Sequence, residues 1–276
     1  MSGRLVVVAT PIGNLGDLSP RALATLAEAD VVVCEDTRRT RALLASADVG
    51  TPPLLAANDH SEAAQVDTVL AHLERGHLVA LVSDAGMPTI SDPGERTVRA
   101  AARAGYEITV VPGPSAAVSA LALSGLPTGR YVFEGFLPRR GSSRTERLAA
   151  LAGEQRTMVL YEAPHRLDRT LGELAETLGP QRRVVLCREL TKRFEETWRG
   201  TLAGAVERVE QEPPRGEFVV VVEGCPPPVP ADDRRIVEAL GRLIDEGSST
   251  RDAVAEVATA YAVSKRRVYD LAVRGR

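Results

Sequence analysis

Near the start of the chain stands Arg4-Leu5-Val6-Val7-Val8-Ala9-Thr10-Pro11-Ile12-Gly13-Asn14-Leu15-Gly16-Asp17, a short apolar run followed directly by a loop of small and polar residues. The same succession recurs twice: Leu78–Val82 leads into a loop at 83–94, and Ile108–Val111 leads into a loop at 112–117. Near-continuous apolar runs of this length are typical of parallel strands covered on both faces. Because ligands of open α/β sheets bind at the carboxyl ends of the strands, we expect these three loops to share one ligand site.

The sequence up to about residue 223 alternates β-rich runs with helical patterns, which predicts an α/β fold. Further strands are predicted at Val31–Cys34, Tyr131–Glu134, Met158–Tyr161, Arg183–Cys187, Glu195–Trp198 and Glu217–Glu223. Helices are predicted from Ser19-Pro20 to Ala29, at Arg38–Ala45, after a cap at Ser61, and at Pro164–Leu178 and Leu202–Glu210.

Three domains are expected. Two α/β domains, 1–126 and 127–225, flank a break rich in Gly and Pro near Gly125–Gly129. A proline-rich linker over Gly224–Pro230 then leads into a small helical domain, so that linker and helices together span 226–276. Its helices are predicted at Asp232–Glu246, Thr250–Ala260 and Ser264–Val273, and the last resembles the end of a helix-turn-helix module.

Composition excludes several classes of protein. The chain has 276 residues, 44% hydrophobic and 26% charged, with a formal net charge of −3; it is expected to be globular and not a globally basic nucleic-acid binder. Three distant cysteines and four histidines without metal-ligand spacing argue against a disulfide framework and a zinc site. No run is long enough for a transmembrane helix or a signal peptide, so we expect a cytoplasmic protein without a membrane partner.

The glycine patterns narrow the class of ligand. Gly13-x-x-Gly16 lacks the Gly-x-Gly-x-x-Gly pattern of dinucleotide-binding loops, and the Gly-x₄-Gly-Lys-Ser/Thr loop of nucleoside triphosphatases does not occur. Rigid loops rich in backbone carbonyls and poor in lysine suit a neutral or cationic ligand better than a polyphosphate. S-adenosylmethionine, which carries a sulfonium, is such a ligand.

Five strings, in order along the chain, resemble the ribosomal RNA small-subunit methyltransferase I family, within the tetrapyrrole-methylase-like superfamily of S-adenosylmethionine-dependent enzymes. They are Ala9-Thr10-Pro11-Ile12-Gly13-Asn14-Leu15-Gly16-Asp17, Cys34-Glu35-Asp36-Thr37-Arg38, Ser83-Asp84-Ala85-Gly86-Met87-Pro88, Pro112-Gly113-Pro114-Ser115-Ala116 and Tyr161-Glu162-Ala163-Pro164-His165-Arg166. The resemblance covers essentially the whole chain. It implies 2′-O-methylation of a cytidine in 16S rRNA, a donor cleft between two α/β domains, and no metal. The partners it implies are 16S rRNA within the small ribosomal subunit and a second copy of the chain in a homodimer.

The resemblance also implies which positions bind the methyl donor. The matching positions lie in the second and third loops, at the end of a second-domain strand and at the start of the last strand. They are Ser83, Asp84, Ala85, Gly86, Thr89 and Ile90 in the second loop, Ser115 and Ala116 in the third, Tyr161, Glu162 and Ala163 at the strand end, and Gly216, Glu217 and Phe218 at the start of the last strand. The chain has Ser83-Asp84-Ala85-Gly86 where relatives often carry Gly-Asp-Pro, so individual contacts there differ. The first loop matches the substrate side of the cleft.

A ribose hydroxyl is a poor nucleophile until it begins to lose its proton, so the implied reaction calls for a base and for orienting groups. The catalytic candidates are Asp17, Asp36, Arg38 and His60. Their hydrogen-bonding neighbours are Asn14, Glu35 and Asn58, and further candidates are Lys192 and Glu195. Asp36 has an alternative interpretation as the N-cap of the helix at Arg38–Ala45, and His60 as a residue that only precedes a helix cap.

Two basic clusters are candidates for RNA binding. All but two of the 34 cationic side chains are arginines, and the clusters are Arg139, Arg140 and Arg144, with Arg147 beside them, and Lys265, Arg266 and Arg267 in the tail. The alternatives are solvated surface charge for the arginines and a packing or dimerisation arm for the tail. Two alternative functions also stay open: a tetrapyrrole methyltransferase of the precorrin type, and a non-catalytic RNA-binding protein with the same fold.

Overall fold

A computed structural model describes residues 3–50, 52–57, 62–226, 232–261 and 263–274, with the side chain of Arg274 left undescribed. His60, Asn58 and the cap at Ser61 lie outside the described residues. The described chain forms two compact units, one up to Gly224 and one from Cys225 on. The predicted domain boundaries at 126/127 and 225/226 stay predictions.

The first sheet of the first unit is entirely parallel, in the order β3-β2-β4-β1-β5. Its strands are β1 (Arg4–Val8), β2 (Val31–Cys34), β3 (Leu54–Ala56), β4 (Leu78–Leu81) and β5 (Glu107–Val111), and its helices are α1 (Pro20–Glu28), α2 (Thr37–Ser46), α3 (Glu62–Glu74), α4 (Glu95–Arg103) and α5 (Ala116–Ser124). Val6 and Val8 pack into one core cluster and Leu5 into another, as expected where side chains alternate between two covered faces. The parallel sheet predicted from the apolar runs is confirmed.

The second sheet is mixed, in the order β6-β7-β10-β8-β9, and only β6 and β7 are parallel. Its strands are β6 (Tyr131–Phe136), β7 (Thr157–Glu162), β8 (Arg183–Arg188), β9 (Glu196–Thr201) and β10 (Phe218–Val222), and its helices are α6 (Ser142–Ala152), α7 (Pro164–Leu178) and α8 (Leu202–Gln211). Helix α5 follows β5 of the first sheet along the chain but packs against the second sheet, where Ala120 and Leu121 share a core cluster with Val159 and Val221.

Most predicted elements are confirmed to within a few residues, and the α/β fold class is confirmed. The exceptions follow from local packing. The predicted third loop, 112–117, ends earlier than expected because α5 begins at Ala116. The strand predicted at Glu195–Trp198 runs from Glu196 to Thr201, because the whole of it pairs with β8. Strand β3 and helices α4 and α5 were not predicted.

The described residues of the second unit form a cluster of three helices, α9 (Asp233–Asp245), α10 (Thr250–Ala260) and α11 (Lys265–Arg274). Its core is formed by Ile236, Leu240, Val257 and Val268, all buried. No helix in the described parts of either unit is long and apolar enough to cross a membrane.

Candidate functional site

A cavity of about 310 Å³ in the first unit is lined by the second and third loops of the first sheet and by strand residues of the second sheet. Ten of the residues expected to bind the donor line it: Ala85, Gly86, Ile90, Ser115, Ala116, Tyr161, Glu162, Ala163, Glu217 and Phe218. This volume is within the range of small-molecule sites, which are mostly apolar with a few polar groups. The cavity therefore brings together expected donor residues that are up to 133 positions apart in the sequence, from Ala85 to Phe218.

Four residues expected at the donor site lie elsewhere. Ser83 and Asp84 line a neighbouring hollow, while Thr89 and Gly216 line neither space. Gly216 has φ +86°, and a Cβ there would lie 2.6 Å from a carboxylate oxygen of Glu189. Its role is to allow that close approach.

Several lining residues were missed in the sequence. They are Ile12, Met87, Ser91, Asp92, Phe136, Pro164, Cys187, Leu190 and Val219. Ile12 belongs to the first loop, which was assigned to the substrate side alone. Cys187 and Val219 lie on the antiparallel strands β8 and β10, and the register that places them at the cavity carries no sequence signal.

The first and second loops are tied together by a backbone bridge. The Thr10 N–H donates to the Gly86 carbonyl over 2.9 Å, and the Gly86 N–H donates to the Thr10 carbonyl over 3.2 Å. The Thr10 hydroxyl also donates to the Ser83 carbonyl over 3.1 Å. Gly86 has φ +87°, a conformation that side chains disfavour. This bridge fixes the cavity wall at the strand ends.

An open hollow of about 500 Å³ adjoins the cavity. The two share Ile12, Ala85 and Glu217 as a common wall. The hollow is otherwise lined by the first loop, by α2 and by charged side chains, among them Arg39 and Asp84. A group bound in the hollow would thus lie next to a molecule in the cavity.

Lys192 clamps two carboxylates at the edge of the hollow. Its Nζ lies 2.9 Å from Glu189 Oε1 and 2.7 Å from Glu217 Oε2, and its stem covers Gly13, where an added Cβ would clash with Lys192 Cγ. Burial lowers the pKa of Lys192, but the hydrogen bonds to Glu217 and Glu189 outweigh this and raise the pKa above its ordinary value. Lys192 is therefore a permanent cation.

Asp36 caps helix α2, which is the alternative interpretation of this residue. Its Oδ1 accepts the Arg38 N–H over 2.8 Å, and Arg38 Nη2 lies 2.7 Å from its Oδ2. Hydrogen bonds from the Arg38 side chain and backbone lower the pKa of Asp36 to about 2, so its carboxylate is a weak base. The Asp36 N–H donates to Asp84 Oδ1 over 3.2 Å, and Arg39 Nη1 lies 3.4 Å from Asp84 Oδ2. Asp36 and Arg38 line neither the cavity nor the hollow.

Asp17 lies at the end of a single 3₁₀ turn, Leu15–Asp17, where it is exposed and lines neither space. The preceding Asn14 caps that turn, its Oδ1 accepting the Gly16 N–H over 3.0 Å. A catalytic role for Asp17 stays a prediction without support from its position.

The basic clusters divide into exposed and internal side chains. Arg139, Arg140, Lys265 and Arg266 are exposed. Arg144 is 2% exposed, and its guanidinium donates to Glu173 over 2.7 Å, to the Pro138 carbonyl over 2.9 Å and to the Thr170 hydroxyl over 2.8 Å. A buried guanidinium with these partners is not available to a phosphate, so the expectation for Arg144 is corrected: it braces the loop. In the second unit, Arg267 pairs with Asp233 over 2.7 Å.

The described residues hold no group of three or more His, Cys, Asp or Glu side chains that could bind a metal ion.

Known proteins share this fold and much of this sequence. Residues 4–206 match the model of the Tetrapyrrole (Corrin/Porphyrin) Methylases, and the chain belongs to this family. Solved structures with the same fold include diphthine synthase, at TM-score 0.62 and 15% identity over 80% of this chain and 90% of that one. Another is uroporphyrin-III C-methyl transferase from Thermus thermophilus complexed with S-adenyl homocysteine, at TM-score 0.55 and 22% identity over 80% and 97%.

Curated relatives narrow the family further. The chain is 42% identical to ribosomal RNA small subunit methyltransferase I of Synechocystis sp. over 98% of both chains. It is 43% identical to the protein of that name from Mycobacterium tuberculosis, over 100% of this chain and 96% of that one. Within the tetrapyrrole methylases, the chain is a methyltransferase of the ribosomal RNA small subunit methyltransferase I family.

Proposed function

We propose that this chain transfers the methyl group of S-adenosylmethionine to the ribose 2′-oxygen of a cytidine in 16S rRNA of the small ribosomal subunit. The observation that carries this proposal is the common wall of Ile12, Ala85 and Glu217. It places a small-molecule cavity directly beside an open, charged hollow that could admit part of a macromolecule.

The cavity's residues fit the methyl donor. Phe136 and Tyr161 present aromatic rings, with centroids 5.6 Å apart, and Asp92 adds a carboxylate to the lining. Aromatic faces and carboxylates both favour a cationic ligand. Glu162 has a different role, since its carboxylate accepts hydrogen bonds from the Ala163 N–H and the Thr170 hydroxyl and fixes the strand end.

When bound, S-adenosylmethionine supplies a methyl group activated by its positive sulfur, so that a C–O bond to the acceptor forms as the C–S bond breaks. The chain must then hold the hydroxyl in line and accept its proton. Asp84 is suited to accepting the proton, because its carboxylate lines the hollow next to Ala85 and only 17% of the side chain is exposed. We assign Asp84 as the proton acceptor. Asp36 becomes a positioning residue, because its N–H holds one Asp84 oxygen.

The acceptor side is charged in a way that suits RNA. Arg39 and Lys192 line the hollow, and Arg39 has 71% of its side chain exposed. Exposed arginines bind phosphate oxygens in a planar, bidentate geometry. Arg139 and Arg140 on the first unit and Lys265 and Arg266 on the second would add salt-dependent contacts to the rRNA backbone.

A homodimer in the cytoplasm completes the proposal. Val110 on the edge strand β5 is 50% exposed, and Val118 and Leu123 on the following helix are 53% and 41% exposed. Edge strands and exposed apolar side chains are commonly covered in an assembly. We propose that a second copy covers them.

The acceptor decides between this function and its alternatives. Purified protein with methyl-labelled donor is incubated with 30S subunits from cells lacking the modification, and with a precorrin-type macrocycle. Label in the 16S rRNA that resists alkaline cleavage at one cytidine supports the proposal. Label in the macrocycle alone favours a tetrapyrrole methyltransferase, and no calorimetric binding of adenosylhomocysteine favours a non-catalytic RNA-binding protein.

A further inference from the structure

Beside the donor cavity lies a second hollow, which is basic and separate from the hollow that contains Asp84. It has a volume of about 580 Å³ and is lined by Phe136, Arg139, Ala163, His165, Arg166 and Arg169, among others. Phe136 and Ala163 line the donor cavity as well. Whatever occupies this hollow therefore lies next to the methyl donor, on a different side from Arg39 and Lys192.

An exposed aromatic ring forms one wall. Phe136 ends strand β6 and is 52% exposed, although a phenylalanine of a folded core is normally buried. Its ring packs edge-on to Tyr161 at 61°, with the centroids 5.6 Å apart. That contact holds the ring in place while leaving part of its surface open to a ligand.

The cationic wall is built rigidly. Two guanidiniums hold the loop after β6: Arg166 donates to the Leu137 carbonyl over 2.8 Å, and Arg144 donates to the Pro138 carbonyl over 2.9 Å. This pinned loop presents Arg139, which is exposed and forms no ion pair with any residue in the described ranges.

The hollow carries excess positive charge. Four arginines line it, and three of them share only two carboxylates: Arg166 pairs with Glu162, while Arg144 and Arg169 both pair with Glu173. Arg139 keeps its full charge, and the exposed His165 stands beside it in the lining. A flat ring next to uncompensated cations is the combination that binds single-stranded nucleic acid, by base stacking and phosphate contact.

We infer that this hollow binds one unpaired nucleotide of the RNA substrate, with its base stacked on Phe136 and its phosphate held by Arg139. The inference rests on the proposed function, and it specifies how the RNA is recognised: as a single strand with a neighbouring base splayed out beside the methylated one. Sequence-specific enzymes acting on RNA commonly read such unstacked bases on aromatic side chains.

The test uses full-length protein and a fluorescein-labelled, unstructured RNA oligonucleotide of about ten nucleotides, titrated by fluorescence anisotropy at several salt concentrations. Phe136→Leu keeps an apolar wall but removes the flat ring, and we expect about a tenfold loss of RNA affinity with the salt dependence kept. Phe136→Trp keeps a flat aromatic ring, and we expect its RNA affinity to be close to that of the wild type. Its indole fluorescence should be quenched on RNA binding, against the background of the one natural tryptophan, Trp198.

Arg139→Ala should weaken binding and reduce the slope of log affinity against log salt by about 0.7, the value for one phosphate contact on a single strand. Tyr131→Leu is the matched control: it removes a 42% exposed ring at the other end of the same strand and should leave RNA affinity unchanged.

Three outcomes overturn the inference: no RNA binding by the wild type at low salt, Phe136→Leu binding as tightly as the wild type, or Phe136→Trp failing to rescue. Adenosylhomocysteine affinity is measured in parallel. If it falls as much as RNA affinity in Phe136→Leu, the ring serves the donor cavity alone, and the inference is also wrong. Methylation of 30S subunits by the wild type is scored separately, so failure of this hollow is distinguishable from failure of the proposed function.

Discussion

The donor cavity and the open hollow that contains Arg39 and Asp84 share three wall residues, but different kinds of groups shape them. The cavity is shaped by backbone, small side chains and rings at the ends of buried strands, such as Gly86, Ala116 and Phe218. The hollow is shaped by charge pairs between surface segments, such as Arg39 with Asp84 and Lys192 with Glu217. Donor binding in the cavity should therefore be lost when a larger side chain fills it. The function of the hollow should be lost when one member of a charge pair is removed.

The largest expected effect is on the cavity. Ala116→Trp places an indole into a space of about 310 Å³, and we expect adenosylhomocysteine affinity to fall ~1,000-fold, equivalent to about 4 kcal/mol. Isothermal titration calorimetry measures it. Ala149→Trp is the matched control, because Ala149 is an exposed helical alanine that lines neither space. Near-wild-type binding by Ala116→Trp would show that the donor binds elsewhere.

A change in the hollow should instead leave the donor bound. Asp84→Asn removes the proposed proton acceptor, and we expect kcat to fall by at least about 100-fold while adenosylhomocysteine affinity stays within twofold. Asp36→Asn is the comparison: an amide oxygen still caps α2, so we expect a decrease in kcat of only a few-fold. Equal losses in the two variants would return the catalytic role to Asp36.

The Lys192 clamp should act on RNA more than on chemistry. Lys192→Met leaves Glu189 and Glu217 without their shared cation beside an approaching phosphate, and we expect KM for 30S subunits to rise about tenfold, with a smaller change in kcat. Lys192→Arg keeps the charge and should recover most of the affinity. A loss confined to kcat, with KM unchanged, would contradict a clamping role.

The smallest expected effect concerns pH. Burial raises the pKa of Glu189, but hydrogen bonds from Lys192 and the Glu217 N–H outweigh burial and hold the pKa below 4.5. The Glu189 carboxylate is therefore fully charged above pH 4.5, and the clamp is lost as the pH falls through the lower pKa that Glu189 has in the folded protein. The pKa of Lys192 is raised above 10.5. The Lys192 ammonium is therefore fully charged below pH 10.5, and the clamp is lost as the pH rises through the higher pKa that Lys192 has in the folded protein. The ratio of KM between wild type and Lys192→Met should therefore be constant from about pH 6 to 9. A ratio that shrinks within this window would mean that Lys192 loses its proton during the reaction.

The contrast between the two regions also explains what could be predicted from the sequence. The place of the ligand site could be predicted because three loops follow apolar strands, which end at one edge of the sheet, while the individual donor-site residues came from the family resemblance. The exceptions depend on pairing that the sequence does not encode locally. Cys187 and Val219 reach the cavity through the antiparallel register of β8 and β10.

The roles of the arginines were harder to predict, because the sequence does not show whether an arginine side chain is exposed or buried. Arg139 and Arg144 stand in one cluster of the sequence, yet the first is exposed and the second is bound on three sides by Glu173, Thr170 and the Pro138 carbonyl. The capping role of Asp36 could be predicted from its position just before α2. The proposed role of Asp84 could not, because it depends on the contact between the start of α2 and the second loop, where the Asp36 N–H donates to Asp84.

A crystal structure with adenosylhomocysteine tests the central claim most directly. We predict density in the cavity formed by Ala116, Tyr161 and Phe218, with the sulfur directed toward the wall of Ile12, Ala85 and Glu217 that adjoins the hollow. Density at another place, or a sulfur directed away from that wall, would contradict the account.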